Sequence, residues 1–259
     1  MKFILAVLVS SALAGLAWYK KALTRSGIVT SWLLCIVISF FGGWSAYLIL
    51  TATFIFVVAA DKFAGKKADP NGIRQKSGAR DACRVLCNVA FPALAMLLYG
   101  ISRKELYLFV YTAVMAESLS DSLASKFGPL TKGHTVDICT FRETSPGLSG
   151  GISLYGCLAA IVGALIIGCM SALFRLQSCR YAIFAALLGF SGCLFDSLLG
   201  SALQVRYICP VCGKISERSM HCGVKAKVCK GLAPINNDVV NLCSNAFVFA
   251  VGIAAGLWM

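Results

Sequence analysis

Long apolar runs separated by short polar stretches dominate the pattern of this chain. The apolar segments lie at about residues 3–19, 28–41, 44–60, 85–101, 105–125, 150–174, 181–203 and 239–259. A helix that crosses the hydrocarbon core of a bilayer needs about 20 mainly apolar residues, and most of these segments approach that length. The pattern predicts an all-α fold, a polytopic membrane helical bundle with about eight transmembrane helices. Segment 28–41 is short and could instead be re-entrant.

Composition and cysteine usage support a single integral membrane domain over residues 1–259. Hydrophobic residues make up 58% of the chain and charged residues 14%, whereas a soluble domain carries about 25% charged residues. An odd total of 13 cysteines, several of them inside apolar segments, is not a disulfide framework. The first segment resembles a signal peptide, but cleavage would leave Lys20, Lys21 and Arg25 outside, so we interpret it as a helix.

The basic residues are distributed unevenly between the loops. The loops after the first, third, fifth and seventh segments hold 19 of the 24 Lys and Arg residues. By the positive-inside rule these loops, among them residues 61–84 and 205–237, are cytoplasmic. We therefore predict a multi-pass protein of the cytoplasmic membrane with both termini extracytoplasmic. The net charge of +13 fits loops that face anionic lipid or substrate, and no basic run interleaved with aromatic residues indicates nucleic acid.

Acidic residues inside apolar segments mark a candidate site. Glu117 and Asp121 are four residues apart and therefore share one helix face. The Asp-Ser pair at Asp121 recurs at Asp196 in a later segment. A charge within a membrane segment is costly and by default indicates function, so we interpret Asp121 and Asp196 as candidate Mg²⁺ ligands. Ser122 and Ser197 are assigned to catalysis with them, and Glu117 and Ser125 to polar support.

A polar stripe enters the fourth segment from the third loop. Arg80, Arg84 and Asn88 follow one another at intervals of four residues, and Lys76 precedes them. Such a stripe is typical of an anchor whose long side chains reach the membrane interface. Asn88 lies deeper than an anchor needs, which favours a second interpretation, a clamp for substrate phosphates formed by all four residues.

Two further stretches carry polar groups to the same side. Gly150 and Gly151 open the sixth segment, where free backbone N–H groups would bind phosphate, although glycines there also serve close helix packing. The last segment begins with Asn237, Asp238 and Asn241, and either Asn237 or Asp238 could be a helix N-cap. Asn241 is beyond capping distance, so we expect it to face polar partners within the bundle.

The seventh loop holds a candidate zinc site. Cys209 and Cys212 form a Cys-x-x-Cys pair, and His221 and Cys222 follow. Four such ligands can close a tetrahedral zinc site that folds a loop. The spacing is shorter than in common zinc fingers and the adjacent His-Cys is geometrically tight, so a set of free cytosolic thiols is the alternative.

These stretches resemble the integral membrane family of domain of unknown function 92, whose animal members are called transmembrane protein 19. Residues 121–128 are similar to the family's Asp-Thr-Trp-Ala-Ser-Glu-x-Gly, and residues 192–204 to its Gly-x-x-x-Asp-Ser-x-x-Gly-Ala-x-x-Gln. Residues 150–156 and 236–241 resemble its Gly-Gly-Val-Ser-x-x-Gly and Asn-Asn/Asp-x-Val-Asn elements. The resemblance covers most of the chain. Lys126 stands where the family usually has Glu, so an activity that needs this carboxylate would require another acid.

The resemblance implies an activity. The family includes a plant phytyl-phosphate kinase, which makes a prenyl diphosphate from a prenyl monophosphate with a nucleoside triphosphate. We therefore expect a Mg²⁺-dependent phosphotransferase for an isoprenoid monophosphate, with apolar helix faces for the prenyl tail. The alternatives are a transporter of an anionic or lipid substrate, which the repeated Asp-Ser pair favours, and a non-catalytic membrane scaffold. Nucleotide, prenyl phosphate and the lipid bilayer are the expected partners, and no oligomeric state is predicted.

Overall fold

The computed structural model describes residues 2–65, 69, 72–73, 79–131 and 134–258, and only the backbone of residues 2 and 3. Seven α-helices make up most of this part of the chain. They are α1 (Lys2–Tyr19), α2 (Arg25–Ala64), α3 (Ala82–Ser102), α4 (Leu106–Phe127), α5 (Leu154–Leu173), α6 (Cys179–Ala202) and α7 (Asn237–Gly256). Five of the helices in the described ranges, α2, α3, α5, α6 and α7, are long and apolar enough to cross a membrane. A predominantly helical membrane architecture is confirmed, whereas the predicted number of about eight crossings is not.

Helix α2 reverses its direction at Gly43. This glycine has a φ of 70°, a conformation that glycine adopts without strain. The backbone N–H of Thr24, just before α2, donates to the carbonyl oxygen of Arg80 (3.0 Å), while Asp61, near the end of α2, pairs with the Arg80 side chain. A straight helix of 40 residues would be about 60 Å long, and its two ends could not both reach one residue. The break between the second and third apolar segments thus coincides with this turn.

Helix α4 occupies the centre of the bundle. It packs against α2, α3, α5, α6 and α7. Every residue from Leu108 to Ser120 is buried, because neighbours cover all faces of the helix. A Cβ added at Gly163 of α5 would lie 3.0 Å from the Ser120 backbone, so a small residue permits this close approach. Helix α1, in contrast, packs chiefly against α2, where Ser10 donates to the Tyr47 hydroxyl (3.1 Å).

The loops that the charge rule assigns to one side lie together at one end of the bundle, which we call the site end. Short antiparallel strands pair there: β1 (Val136–Asp137) with β2 (Gly151–Ile152), β3 (Arg206–Ile208) with β4 (Ile215–Ser216) and β7 (Lys227–Lys230), and β5 (Met220–His221) with β6 (Val224–Lys225). The loop between α6 and α7 is therefore a small folded unit. The all-α prediction missed it, because strands of 2 to 4 residues leave no readable alternation. The side of the membrane stays a prediction.

Two helix starts at the site end differ from the prediction. Helix α5 begins at Leu154 with Ser153 as its cap, so the glycines that were expected to open it lie before the helix. Asn236 caps α7, since its side-chain oxygen accepts a backbone N–H of the first turn (3.1 Å), and neither Asn237 nor Asp238 is the cap. In both cases the oxygen-bearing side chain immediately before the helix satisfies one of its free N–H groups.

Candidate functional site

A cavity of about 270 Å³ lies at the site end of the bundle. Its walls bring together side chains from α3, α4, α6, α7 and the loop before α5. Among the predicted site residues, those that line it are Arg80, Arg84, Asn88, Asp121, Ser122, Ser125, Gly150, Gly151, Asp196, Ser197, Asn237, Asp238 and Asn241. Glu117 is buried behind this wall, and Lys76 is outside the described residues. The fold brings these positions together, while the roles assigned to them stay predictions.

Two buried carboxylates share one serine hydroxyl, and we call Glu117, Asp196 and Ser244 the acidic cluster. The Ser244 Oγ lies 2.7 Å from Glu117 Oε1 and 3.1 Å from Asp196 Oδ2. Glu117 is 1% exposed and Asp196 is 8% exposed. One hydroxyl carries one proton and cannot donate to both carboxylates at once. Two ionised carboxylates this close to each other repel when they are buried, and a proton on one of them or a bound cation would relieve that repulsion.

Amide groups complete the surroundings of the acidic cluster. Asn245 donates through Nδ2 to Glu117 Oε2 (3.0 Å). The Asn241 amide, oriented with its nitrogen toward the acceptors, donates to Asp196 Oδ2 (3.2 Å). Asn241 thus faces a polar partner, as expected from its position in the last segment. Sequence reasoning missed Ser244, although its place one turn after Asn241 on the same helix face was an available signal.

The acidic groups fit a bound divalent cation. Within the described part of the chain, no Lys or Arg forms an ion pair with Glu117 or Asp196. Asp121, one helical turn beyond Glu117, adds a third carboxylate at the cavity wall. The three do not form a closed cage, since among described residues only a Cys/His cluster brings three or more ligand groups together. An open set suits Mg²⁺, which usually keeps several waters and takes substrate phosphates as ligands.

A second charge cluster at the cavity contains both signs of charge. It consists of Asp61, Arg80 and Lys126, and we call it the ion-pair cluster. Arg80 Nη2 and Lys126 Nζ each lie 2.5 Å from an oxygen of Asp61, and both basic side chains are 15% exposed. Lys126, which departs from the family pattern, therefore has a defined partner. Sequence reasoning missed Asp61 because it was placed in the third loop, whereas α2 continues to Ala64. The available signal was an acid directly after an apolar segment.

The position of Asn88 has a structural explanation. Asn88 Nδ2 donates to the carbonyl oxygen of Arg84 one turn earlier (2.9 Å), and the Asn88 carbonyl oxygen accepts from Ser118 of α4 (3.2 Å). This bond uses one of the two hydrogens of the Asn88 amide, and the phosphate-binding role of Asn88 stays a prediction. The depth of Asn88 in the bundle, which favoured the phosphate clamp, reflects at least these two contacts.

Residues 148–151 form a turn before α5, which we call the glycine turn, and its backbone N–H groups have defined acceptors. The N–H of Ser149 donates to Glu217 Oε1 (2.9 Å), and that of Gly151 to a carbonyl oxygen within the turn (3.1 Å). Gly150 has a φ of 82°, and a Cβ there would lie 2.5 Å from Ser201, so the site requires glycine. The phosphate cradle predicted for Gly150 and Gly151 is thus no helix N-terminus. Glu217, which lines the cavity, was not predicted.

Asp137 fastens the same loop to the unit between α6 and α7. The Ser201 hydroxyl donates to Asp137 Oδ1 (2.7 Å), and Arg206 Nη2 lies 3.5 Å from Oδ2. Burial raises the pKa of the Asp137 carboxyl group, but hydrogen bonds from Ser201 and from the N–H groups of Thr140 and Cys139 outweigh burial and lower this pKa to about 2. Asp137 is therefore ionised at neutral pH and holds its partners by charge-assisted bonds.

The cavity continues from its polar end into an apolar slot between α1, α2 and α3. The walls of this slot include Leu13, Ala17, Leu50, Phe54, Val57 and Val89. The sequence predicted apolar faces for a lipid tail without identifying them. A polar site joined to an apolar slot suits an amphiphile with a charged head group.

The four predicted zinc ligands come together in the loop between α6 and α7. The ligand atoms of Cys209, Cys212, His221 and Cys222 all lie within 4.8 Å of one another. Backbone N–H groups of Cys212 and Val211 lower the pKa of the Cys209 thiol to about 6, which favours the thiolate form that metals bind. The pKa of Cys222 is raised to about 11, because its hydrogen bond to Cys212 favours the thiol form.

The helices and the site together define a multi-pass integral membrane protein with a polar cavity at one end of its bundle. The chain belongs to the family Integral membrane protein DUF92, whose profile matches residues 8–249, and the resemblance found in the sequence is confirmed.

Curated relatives extend over most of the chain. The uncharacterized membrane protein sll0875 of Synechocystis sp. is 30% identical over 208 residues, which are 78% of this chain and 81% of that protein. Protein PGR of Arabidopsis thaliana is 26% identical and covers 94% of this chain and 92% of its own length. Protein VTE6, chloroplastic, of Arabidopsis thaliana is 22% identical, and the match covers 85% of this chain and 61% of that protein. No solved structure matches the chain significantly.

Proposed function

We propose that this protein is a membrane-embedded, Mg²⁺-dependent phosphotransferase that acts on an isoprenoid monophosphate with a nucleoside triphosphate as donor. The observation that carries the proposal is one cavity with carboxylates and cations at its polar end and apolar walls beyond. The resemblance to a family that includes a plant phytyl-phosphate kinase supports this choice of substrate and reaction.

The cations of the polar end suit phosphate groups. Arg80, Arg84 and Lys126 all line the cavity. A guanidinium group binds phosphate oxygens in a bidentate manner, and an ammonium group adds a compact charge. Asp61 engages Arg80 and Lys126 in the structure, and a phosphate offers the same acceptor oxygens with more negative charge. An anionic head group would therefore share the two cations with Asp61, because its complete displacement would leave that carboxylate without partners.

The transfer itself depends on positioning and charge neutralisation more than on covalent help from the protein. A monophosphate oxygen forms a bond to the γ-phosphorus of the donor, the bond from that phosphorus to the β–γ bridging oxygen breaks, and a nucleoside diphosphate leaves. The attacking phosphate needs no general base at neutral pH, since its second pKa is about 6. Asp121 and Asp196 would hold Mg²⁺, which neutralises phosphate charge when bound. The Ser122 and Ser197 hydroxyls on the same wall would orient phosphate oxygens.

The apolar slot would hold the isoprenoid tail. Leu50, Phe54 and Val57 follow one face of α2 at helical spacing and line the slot. Each methylene group of a tail favours the bilayer over water by about 0.8 kcal/mol, so a prenyl phosphate is concentrated in the membrane beside the slot, whereas a head group without a tail stays in water. The slot therefore favours a prenyl phosphate over the same head group without a tail, and substrates without a tail should be poor ones.

Label transfer tests the proposal. Purified protein is incubated with Mg²⁺, nucleoside triphosphates labelled at the γ-phosphate, and isoprenoid monophosphates of different length. We expect label in a prenyl diphosphate, its loss without Mg²⁺ and its loss in Asp121→Asn. Ser191→Ala is the matched control, because Ser191 is exposed on α6 and donates only to the Leu187 carbonyl oxygen of its own helix (2.9 Å). Uptake of prenyl phosphate into sealed vesicles without label transfer would support the transporter instead and overturn the proposal.

A further inference from the structure

The loop between α6 and α7 contains two tight turns. Cys209 to Gly213 form the first, in which the Gly213 N–H donates to the Cys209 carbonyl oxygen (2.9 Å) and Gly213 has a φ of 69°. The second joins β5 to β6 through Cys222 (φ 50°) and Gly223 (φ 75°). A positive φ is uncommon outside glycine and persists where the surroundings enforce it. Each turn contributes two of the four potential metal ligands.

The ligand atoms are spaced for one tetrahedral ion. Cys212 Sγ and Cys222 Sγ lie 3.4 and 3.2 Å from His221 Nδ1. With Cys209 Sγ included, all four ligand atoms lie within 4.8 Å of one another. A tetrahedral zinc ion with bonds of about 2.0–2.3 Å separates its ligand atoms by roughly 3.3–3.8 Å. A contraction of about 1 Å at most would close the cluster around the ion.

We propose that Cys209, Cys212, His221 and Cys222 bind one structural Zn²⁺, and that the metal-held loop fixes Glu217 against the glycine turn at the cavity wall. All four coordination positions come from the protein, as in structural zinc sites, whereas catalytic sites keep one position open. Thiolate and imidazole ligands suit zinc and exclude hard ions such as Mg²⁺ or Ca²⁺.

Glu217 lies between the two turns and connects them with two other segments of the site end. Its Oε1 accepts from the Ser149 N–H of the glycine turn, and its own N–H donates to the Ile73 carbonyl oxygen, each at 2.9 Å. Glu217 is 5% exposed and lines the cavity. Cys212 precedes it by five residues and His221 follows it by four. A metal held on both sides of Glu217 therefore fixes both ends of the segment that positions its carboxylate.

Metal analysis of the purified full chain tests the site. We expect about one zinc per chain, and nearly none after Cys209→Ser combined with Cys212→Ser. Cys229→Ser is the matched control, because Cys229 lies in the same loop but donates to the Arg206 carbonyl oxygen (3.4 Å). Wild-type protein without zinc, or zinc that survives the double substitution, overturns the site. Another metal at the same stoichiometry overturns its assignment to zinc.

Amide hydrogen exchange tests the connection to the cavity. Removal of zinc by a chelator should raise exchange at the Ser149 N–H at least about 10-fold, because its acceptor is released. Glu217→Ala should raise it equally with zinc retained, while amides of α5 serve as the internal control. The positioning role is overturned if exchange at the Ser149 N–H is unchanged in Glu217→Ala. It is also overturned if this exchange is unchanged after zinc loss while the amides of α5 stay protected. Neither measurement uses turnover, so the zinc proposal is independent of the phosphotransferase proposal.

Discussion

The two charge clusters at the cavity are built on opposite principles. In the acidic cluster two carboxylates converge on one hydroxyl, and within the described residues no Lys or Arg pairs with either. In the ion-pair cluster one carboxylate holds two cations. Like charges that converge away from water destabilise a fold, whereas paired charges that lose one member leave the other uncompensated. The comparison suggests different tests for the two clusters: the acidic cluster carries the proposed cation site, whereas the ion-pair cluster joins α2 to the start of α3 and the end of α4.

Removal of one charge from the acidic cluster should have the largest effect. Asp196→Asn keeps size and hydrogen bonding but removes the charge that a Mg²⁺ ligand needs, so we expect turnover to fall at least ~100-fold. Thermal stability should stay unchanged or rise, because the repulsion with Glu117 is relieved. Activity and unfolding temperature are measured on the same preparation, with Ser191→Ala as control. A loss of about 3–5 kcal/mol would instead show that Asp196 compensates a buried cation.

Asp137, a carboxylate outside the helices that has several hydrogen-bond donors and a nearby cation, should stabilise the fold in a pH-dependent way. The pKa of Asp137 is about 2 in the folded chain, below the value of about 3.9 in unfolded chains. Its contribution, about 2–3 kcal/mol, is therefore present above pH ~4 and lost as the pH falls through ~2. We measure the free energy of unfolding at pH 7 and at pH 2.5. The decrease between the two pH values should be smaller in Asp137→Asn than in the wild type, because the variant lacks this carboxylate. Glu143→Gln is the control, since its side chain is 74% exposed; an equal acid loss in Asp137→Asn would contradict the assignment.

Neutralisation of the ion-pair cluster should destabilise the protein, in contrast to Asp196→Asn. Asp61→Asn leaves Arg80 and Lys126 facing each other without their shared carboxylate. Because Asp61 is 33% exposed, solvent screens part of the loss, and we expect about 1–2 kcal/mol. Unfolding in denaturant measures this loss of stability. The double variant Asp61→Asn/Lys126→Gln should recover part of it, because one of the two unpaired cations is removed. A rise in stability with Asp61→Asn would remove the distinction between the clusters.

The smallest effect is expected at the shared hydroxyl of the acidic cluster. Ser244→Ala keeps both carboxylates but removes the group between them, so it should alter how they hold a cation. We expect the Mg²⁺ concentration for half-maximal turnover to rise about 10-fold, a typical effect of groups that orient metal ligands. Titration of turnover with Mg²⁺ measures this shift. An unchanged Mg²⁺ dependence would show that Ser244 orients no ligand of the ion.

The convergence of the cavity residues could be predicted from sequence to a large extent. Alternating segments place every second loop at the same end, so Asp121, Asp196 and Asn241 were expected together before any contact was known. The proximity of the four proposed zinc ligands could also be predicted, because four residues within one short segment can hardly lie far apart. These predictions depend on local spacing and on the direction of helices.

Contacts between distant segments were beyond sequence reasoning. Asp61 meets Lys126 only because α2 reverses at Gly43 and ends beside α4, and no local pattern contains that geometry. The glycines at residues 150 and 151 were placed in a helix because they begin an apolar segment, whereas the cap at Ser153 starts it three residues later. Propensity and hydropathy describe a single segment, whereas the side chains that a residue contacts in other segments depend on how the helices pack.

The peripheral position of α1 has a consequence for how the proposed substrate would reach the cavity. This helix packs chiefly against α2 and also forms one wall of the apolar slot. A prenyl tail could therefore pass sideways from the surrounding leaflet into the slot without entering water. Encounters with the proposed substrate would then occur by diffusion in two dimensions. The rate would follow the mole fraction of substrate among the lipids, so dilution with inert lipid would slow turnover and dilution with buffer would not.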